Sequence, residues 1–225
     1  QAVSLAAQQI AMGQADLMIA GGVESMSMVP MGGNSFRPNP SWFENQELYP
    51  LSHSMGLTAE KVATKYEIDR EQQDNFALSS HEKALEALSK GFFENEILEI
   101  SGQSHDQGPR SGSLEALAKL KPVFKLKGSV TAGNSSQMSD GAAALLLASE
   151  KFVQEHQLEP LAQFKGFSVA GCAPEIMGIG PIHAIPKLLE QAKTSLESLE
   201  WIELNEAFAA QALAVIKTLN LDESK

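Results

Sequence analysis

The sequence is poor in the features that mark secreted, membrane-spanning and metal-binding proteins. Among its 225 residues there is one cysteine, Cys172, so no disulfide can form within the chain, which suits a reducing compartment. The longest apolar stretch, residues 141–148, is far shorter than the roughly 18 residues that a membrane-spanning helix needs. The five histidines show no metal-ligand spacing and no cysteine pair exists, so we predict no metal site.

The chain also lacks an excess of positive charge. Its formal net charge is −11 at pH 7, from 17 Lys and Arg against 28 Asp and Glu. An acidic chain repels phosphate backbones at long range, so nucleic acid is not expected as a partner. An anionic small molecule can still bind, but it needs a local patch of Lys, Arg and backbone N–H donors. The 43% of hydrophobic residues is ordinary for a globular protein and sufficient for a core.

Helical and strand-like patterns alternate along the chain, which predicts an α/β fold. The predicted strands are residues 16–22, 141–148, 161–169 and 201–204, of which the first two are expected to be buried. The predicted helices are residues 2–12, 59–66, the stretch between Asp69 and Gly91, and residues 114–120, 182–192 and 207–219.

Local signals set several of these boundaries. Thr58 is predicted to cap the helix of residues 59–66, and Asp69 with Gln72 forms a capping-box variant before the long helix. Gly91 is predicted to end that helix. Residues 30–50 are dense in Gly, Pro and Asn, which indicates a linker or functional loop without regular elements.

Three features could carry chemistry, but the residues alone leave each with a structural alternative. Cys172 and His183 could form a thiol and its base, although a lone cysteine among Ala and Gly is usually a small buried hydrophobic residue. The small residues of 130–136 could bring backbone N–H groups close to a ligand, or could simply cap a helix. Asn205 follows a predicted strand and opens a predicted helix, so it could cap that helix or hold a water or a reacting oxygen.

Five stretches, taken in order, resemble the thiolase family across essentially the whole chain. They are residues 17–27 (LMIAGGVESMS), 55–60 (MGLTAE), 130–136 (VTAGNSS) with 139–143 (SDGAA), 177–181 (MGIGP) and 205–212 (NEAFAAQA). Each stretch is moderately specific, whereas all five at family-like spacing are highly specific. The details look closest to degradative 3-ketoacyl-CoA thiolases and the related acetoacetyl-CoA thiolases.

The resemblance implies two layered α/β/α halves with a mostly helical loop domain inserted in the first half. Residues 1–26 and 128–158 would then be parts of the N-terminal half, and residues 27–127 the inserted domain that covers CoA. Residues 159–225 would begin the C-terminal half. On this view the fold is incomplete at both ends of the sequence.

The resemblance also implies a reaction through a covalent acyl-cysteine. A thiolate at a helix N-terminus attacks the 3-keto carbon, a second cysteine protonates the enolate of acetyl-CoA, and a His activates the nucleophile. Of these central groups the sequence retains Asn205, which in the family holds the water of the enolate oxyanion hole. The nucleophile motif is expected before Gln1, and the Gly-His-Pro and Cys-x-Gly motifs beyond Lys225. We therefore expect the 225 residues alone to be inactive.

Several positions match residues that contact CoA or the acyl group in the family. They are Met55, Arg110, Phe124, Ala132, Ser136, Ala207 and Phe208. CoA is expected as a co-substrate, with no permanently bound cofactor. Ser54 stands where family members often carry His, and His53 lies one position earlier. A locally basic stretch would suit the CoA phosphates, or be solvated surface: Arg110, Lys119, Lys121, Lys125 and Lys127.

Two alternatives remain open at the sequence level. One is a condensing ketoacyl synthase, although such enzymes place His where Asn205 stands. The other is a non-catalytic CoA-binding paralogue, which would lack the flanking Cys and His motifs. The resemblance further implies a homodimer or homotetramer acting on acyl-CoA, cytoplasmic in a bacterium and mitochondrial or peroxisomal in a eukaryote.

Overall fold

The computed structural model describes residues 1–35, 37–52 and 54–225, with the backbone alone for residues 51 and 52. Its strands are β1 (Leu17–Ser25) and β2 (Asp140–Ala148). Its α-helices are α1 (Ala2–Ala11), α2 (Ser41–Glu44), α3 (Met55–Lys65), α4 (Arg70–Ser89), α5 (Leu114–Ala118), α6 (Glu150–Glu155), α7 (Gly180–Ala192) and α8 (Ala209–Leu219). Short 3-10 helices cover Tyr49–Ser52 and Pro174–Ile179.

The chain divides into two compact units. The first comprises Gln1–Arg37, Met138–Val169 and Ala184–Ser198. The second comprises Pro38–Gln137, Ala170–His183 and Leu199–Lys225. The division into two halves and an inserted domain drawn from the sequence stays a prediction.

The first unit is built on an antiparallel pair of strands. β1 and β2 align in register from Leu17 opposite Ala148 to Ser25 opposite Asp140, and α1 packs against both strands. The sequence predicts both strands as buried, and this is wrong for the described chain: Ile19 is 72% and Leu146 70% exposed. One helix and one partner strand cannot cover both faces of each strand.

The second unit has a small apolar core between helices. Val62 and Ile68 meet Ile179 and Ala214, and Cys172 packs at the edge of this cluster. The helix α8 contributes a run of small buried residues, which lets α3, α4 and the 3-10 helix Pro174–Ile179 approach it closely. This packing holds α8, which begins directly after residues 205–208.

The long helix α4 begins and ends as its sequence predicts. Asp69 Oδ1 accepts the Gln72 N–H at 2.8 Å, and Gln72 Oε1 accepts the Asp69 N–H at 2.9 Å, which completes the capping box. Gly91 follows the helix with φ +70°, a left-handed conformation that glycine adopts without strain.

Other boundaries depart from the prediction. Thr58 does not cap a helix, because α3 already begins at Met55 and the Thr58 hydroxyl donates to the Met55 carbonyl at 2.6 Å. In the region of residues 30–50 the single-turn helix α2 and the start of a 3-10 helix interrupt the irregular chain. The helix expected from residue 207 starts at Ala209, and α6 has no counterpart in the prediction.

Two predicted strands do not form in the described chain. Residues 161–169 and 201–204 carry no strand assignment. A strand exists by pairing with a neighbour, and the ladder recorded for the described residues joins β1 to β2. Around residues 201–204 a backbone bond runs from Ile202 N to Lys225 O at 3.0 Å, which is too little to build a ladder.

Candidate functional site

Two chain segments far apart in sequence pair through their backbones in the second unit. We call residues 130–136 the small-residue loop and residues 205–208 the Asn205 segment. Ser136 N donates to Ala207 O at 2.9 Å, and Ala209 N donates to Asn134 O at 3.0 Å. These bonds frame a bridge between Ser135 and Phe208. The pairing places two of the predicted CoA-lining positions, Ser136 and Ala207, side by side.

The cap of α8 is a backbone arrangement and not the Asn205 side chain. Phe208 occupies the N-cap position with extended φ −146° and ψ 141°, and no side chain caps the helix. The Asn134 carbonyl takes the first free N–H of α8 instead. Asn205 is exposed, and its amide makes no hydrogen bond to the residues that the structure describes. The amide is therefore available to a ligand or an ordered water.

An aromatic corner adjoins the Asn205 segment. The rings of Phe124 and Phe208 meet edge to face, with centroids 6.1 Å apart and an interplanar angle of 82°. Gly56 lies directly under the Phe124 ring, where a Cβ would fall 2.1 Å from Phe124 Cγ. Met55, the first residue of α3, precedes that glycine and is 41% exposed. The fold thus gathers predicted site residues from three segments.

An open groove of about 1340 Å³ borders the same segments. Its wall includes one face of α4, the end of the small-residue loop and residues 201–206, with Asn205 among them. The hydroxyl of Ser80 on α4 donates to Glu206 Oε2 at 2.5 Å, which ties the Asn205 segment to the helix.

Arg110 lies on another stretch of the same unit. Its backbone N donates to His81 Nδ1 at 3.3 Å, and its Nε donates to Gly108 O at 3.3 Å. Gly108 packs on Gln137, the residue after Ser136, because a Cβ at position 108 would fall 2.5 Å from Gln137 Nε2. The Arg110 side chain is exposed.

The remaining predicted positions are accessible. Ala132 is exposed within the small-residue loop. The four lysines of the basic stretch are exposed and form no salt bridge within the part of the chain that the structure describes: Lys119, Lys121, Lys125 and Lys127. His53, which stands near the position of a family histidine, lies outside the described residues.

A buried carboxylate anchors the entry to the small-residue loop. Glu60 on α3 is 4% exposed, and its Oε1 accepts Ser129 N and Val130 N, each at 3.0 Å. Its second oxygen also accepts Ser129 N at 3.0 Å. On α4, Gln73 Nε2 donates to the Ser129 hydroxyl at 2.9 Å. Both helices therefore hold the chain just before residue 130.

Sequence reasoning misses this anchoring. Glu60 falls within a motif that carries the resemblance, yet its sequence context assigns it no partner. A usable signal is its position: Glu60 shares the buried face of α3 with Ala59, Val62 and Ala63. A charged residue at apolar spacing on a helix is expected to have a hydrogen-bonding partner, since an unpaired buried charge is costly.

Cys172 behaves as a small core residue. It is half-buried, packs against the apolar cluster and donates its S–H toward Met177 O at 3.6 Å. No hydrogen bond joins it to His183 among the described residues, and His183 is exposed. Over the described ranges, with gaps at residues 36 and 53, no three His, Cys, Asp or Glu side chains gather in a metal-binding arrangement. Over the same ranges no helix is both long and apolar enough to cross a membrane.

The chain is similar to thiolases in sequence and in structure. The family model "Thiolase, N-terminal domain" matches residues 1–151, and "Thiolase, C-terminal domain" matches residues 158–225. A 3-ketoacyl-CoA thiolase of Bacillus subtilis is 44% identical over 243 residues, covering 100% of this chain and 62% of that protein. An acetyl-CoA acetyltransferase of Chromobacterium violaceum is 43% identical over 246 residues, with the same coverage of 100% and 62%.

Solved structures give the same result. The dimeric peroxisomal thiolase of Saccharomyces cerevisiae aligns with a TM-score of 0.90 and 40% identity, covering 100% of this chain and 59% of that one. Human mitochondrial 3-ketoacyl-CoA thiolase in complex with CoA aligns with a TM-score of 0.89 and 39% identity, covering 100% and 61%. The chain thus spans less than two thirds of the length of these relatives.

Proposed function

The chain belongs to the thiolase family, and from that premise we propose that the complete protein is a CoA-dependent acyltransferase. The family match confirms the predicted resemblance and the thiolase-like α/β fold class. The proposed reaction is cleavage of a 3-ketoacyl-CoA by CoA into acetyl-CoA and a shortened acyl-CoA, or the reverse condensation. It proceeds through an acyl-cysteine other than Cys172, which packs at the edge of the apolar cluster.

One observation carries the proposal. The small-residue loop and the Asn205 segment are bonded together through Ser136 and Ala207, beside the Phe124–Phe208 corner. This brings small residues, two aromatic rings and an unengaged amide to one locality. A pantetheine arm, which is mostly apolar with a few polar groups, is suited to such a surface.

The proposed roles follow from side-chain chemistry. The Asn205 amide orients a water or oxygen where negative charge develops on the thioester enolate. Met55, Phe124, Ala132, Ser136, Ala207 and Phe208 line the pantetheine and acyl path. Arg110 and the exposed lysines of the basic stretch, Lys119, Lys121, Lys125 and Lys127, meet the CoA phosphates, since an acidic chain binds anions only where positive charge is locally available.

We further propose the organisation and setting of the complete protein. Residues 1–26 and 128–158 belong to its N-terminal half, residues 27–127 to the inserted CoA-covering domain and residues 159–225 to its C-terminal half. The yeast relative is described as dimeric, which supports a homodimer or homotetramer. Relatives described as bacterial, mitochondrial and peroxisomal support a cytoplasmic location in a bacterium and an organellar one in a eukaryote.

A synthase or a non-catalytic paralogue is less well supported. The relatives described above are named thiolases or acetyl-CoA acetyltransferases. Position 205 carries Asn, where the resemblance predicts His in a condensing synthase.

The test is acyl transfer by the complete protein. Purified protein is mixed with acetoacetyl-CoA or a longer 3-ketoacyl-CoA, with and without free CoA, and the acyl-CoA products are separated by chromatography. Acetyl-CoA that appears only when CoA is present supports a thiolase. Binding of CoA without any product, for all chain lengths, would favour the non-catalytic paralogue.

A further inference from the structure

A buried carboxylate–amide pair connects helix α4 to the small-residue loop. Asp74 and Asn134 are 3% and 2% exposed, and Asn134 Nδ2 donates to Asp74 Oδ1 at 2.9 Å. The other carboxylate oxygen, Oδ2, accepts Arg70 Nε at 2.7 Å. Arg70 Nη2 in turn donates to Leu117 O at 2.6 Å and to Leu120 O at 3.0 Å, at the end of α5.

Asn134 is bonded at each of its polar ends. Its Oδ1 accepts Thr131 N at 2.8 Å, and its Nδ2 also donates to Ser129 O at 3.2 Å. Its backbone carbonyl accepts Ala209 N in the first turn of α8. Because Thr131 N is a donor, the amide fits in one orientation, with its NH₂ group toward Asp74.

We infer that Asp74 and Asn134 are positioning residues, which fix the small-residue loop against the Asn205 segment and so set where the pantetheine arm and thioester lie. The inference rests on the proposed thiolase function. Neither residue touches the reacting atoms in this role. Each acts through the pairing that places Ser136 beside Ala207 and Asn134 beside the start of α8.

Stability alone is a weak reason for such a pair. Burying an ionised carboxylate is costly, and apolar residues of similar volume are often equally stabilising. A fully bonded polar network instead permits one geometry and excludes slightly shifted alternatives. A reaction that depends on placement within about 1 Å gains from such a constraint, because a misplacement of that size can lower the rate about 10²-fold.

Reciprocal substitution tests the pair in the complete protein. In Asp74→Asn the side chain at position 74 keeps one acceptor oxygen and gains an NH₂ group. Either Arg70 or Asn134 then has its donor group facing that NH₂ group instead of an oxygen. Asn134→Asp sets two carboxylates against each other. In the double variant the amide at position 74 accepts from Arg70 and donates to the carboxylate at position 134, which still accepts Thr131 N, while the Ser129 carbonyl loses the donor that Asn134 supplied.

We expect the double variant to regain activity that each single variant loses, measured as kcat/KM per correctly folded protein. Each single variant should lower kcat/KM for thiolysis by about 10- to 100-fold, and the double variant should recover part of the loss, since the bond to Ser129 O stays missing. Val153→Ala is the control, because Val153 is half-buried on α6 in the first unit, outside both the network and the candidate site. It should lower the thermal midpoint while kcat and KM per natively folded protein stay near those of the wild type.

Other outcomes overturn the inference. If the single variants keep the wild-type kcat and KM per folded site, Asp74 and Asn134 have a structural role only. The same conclusion follows if kcat/KM of the double variant is no higher than that of either single variant. If neither single variant folds, Arg70→Lys is measured instead. Lysine keeps a positive charge near Asp74 but lacks the planar guanidinium group that bonds both Asp74 and the end of α5. Unchanged kcat/KM in Arg70→Lys would contradict the positioning role. An inactive wild type would refute the proposed function itself, whereas an active wild type with unaffected variants would refute this inference alone.

Discussion

Replacing Gly56 with alanine should weaken CoA binding by displacing the Phe124 ring. A Cβ at position 56 would fall 2.1, 2.2 and 2.3 Å from Cγ, Cδ1 and Cδ2 of that ring. Carbon atoms pack at roughly 3.5–4.0 Å, so the ring must retreat by more than about 1 Å. Phe124 is 38% exposed and can swing toward solvent, which keeps the protein folded but breaks the edge-to-face contact with Phe208.

The magnitude follows from what the ring supplies. An aromatic pair of this geometry is worth about 0.5–1.5 kcal/mol beyond its buried area, and the ring also forms part of the proposed apolar path. A loss of about 1.4 kcal/mol corresponds to a tenfold weaker affinity. We therefore expect KM for CoA to rise about 3- to 10-fold. Turnover should change less, because a remote wall contacts the ground and transition states alike.

The assay is steady-state thiolysis by the complete protein at varied CoA. Phe124→Ala should raise KM for CoA by a similar factor. Adding Gly56→Ala to Phe124→Ala should raise KM little further, because the new Cβ then has no ring to clash with. Gly112→Ala is the control, because a Cβ at Gly112 has nothing within 4 Å. An unchanged KM for CoA in Gly56→Ala would refute this prediction. So would a Gly56→Ala substitution that raises KM by the same factor in the Phe124→Ala background as in the wild type.

Three further predictions concern the anchoring, the charge and the pH response of the chain. Glu60→Gln replaces one acceptor oxygen by a donor NH₂ group beside Ser129 N and should lower the free energy of unfolding of the complete protein by about 1–3 kcal/mol. Urea denaturation measures this change, and an unchanged midpoint would contradict the anchoring role of Glu60. Arg110→Ala should raise KM for CoA with kcat nearly unchanged, and a fall in kcat alone would remove it from the phosphate site. The Ser27 hydroxyl and backbone N–H donate to Asp140 and lower the pKa of its carboxyl group below the ordinary value of 3.8. This contact therefore stabilises the folded protein above that ordinary pKa. The stabilisation is lost as the pH falls through the lowered pKa. The difference in thermal midpoint between wild type and Asp140→Asn should accordingly narrow below about pH 4, and a difference independent of pH would refute this.

Helix signals that act locally are predictable from this sequence. Asp69 and Gln72 cap α4 through bonds between residues three apart, and Gly91 ends it because glycine accepts a positive φ. Thr58 fails as a cap because α3 extends back to Met55, so that the hydroxyl lies inside the helix. Strands depend on distant partners, and so residues 161–169 and 201–204 have strand-like composition without forming a ladder in the described chain.

The candidate site shows the same division between local and distant information. The resemblance names Met55, Phe124, Ser136, Ala207 and Phe208, and the structure brings them near one another. The residues that hold them in place were not predicted. Glu60 reaches Ser129 across 69 positions of sequence, and Asp74 reaches Asn134 across 60. Hydropathy and spacing carry no information on which buried polar groups will pair over such separations.

The kinetic effect of Asn205→Ala tests the central claim most directly, that the Asn205 segment forms part of a thiolase active site. Asn95→Ala is the matched control, since Asn95 is exposed and lies outside the groove wall. In the complete protein we predict that Asn205→Ala lowers kcat by about 10²-fold or more, the usual cost of losing an oxyanion-hole donor, while Asn95→Ala has no effect. Wild-type turnover by Asn205→Ala would contradict the account.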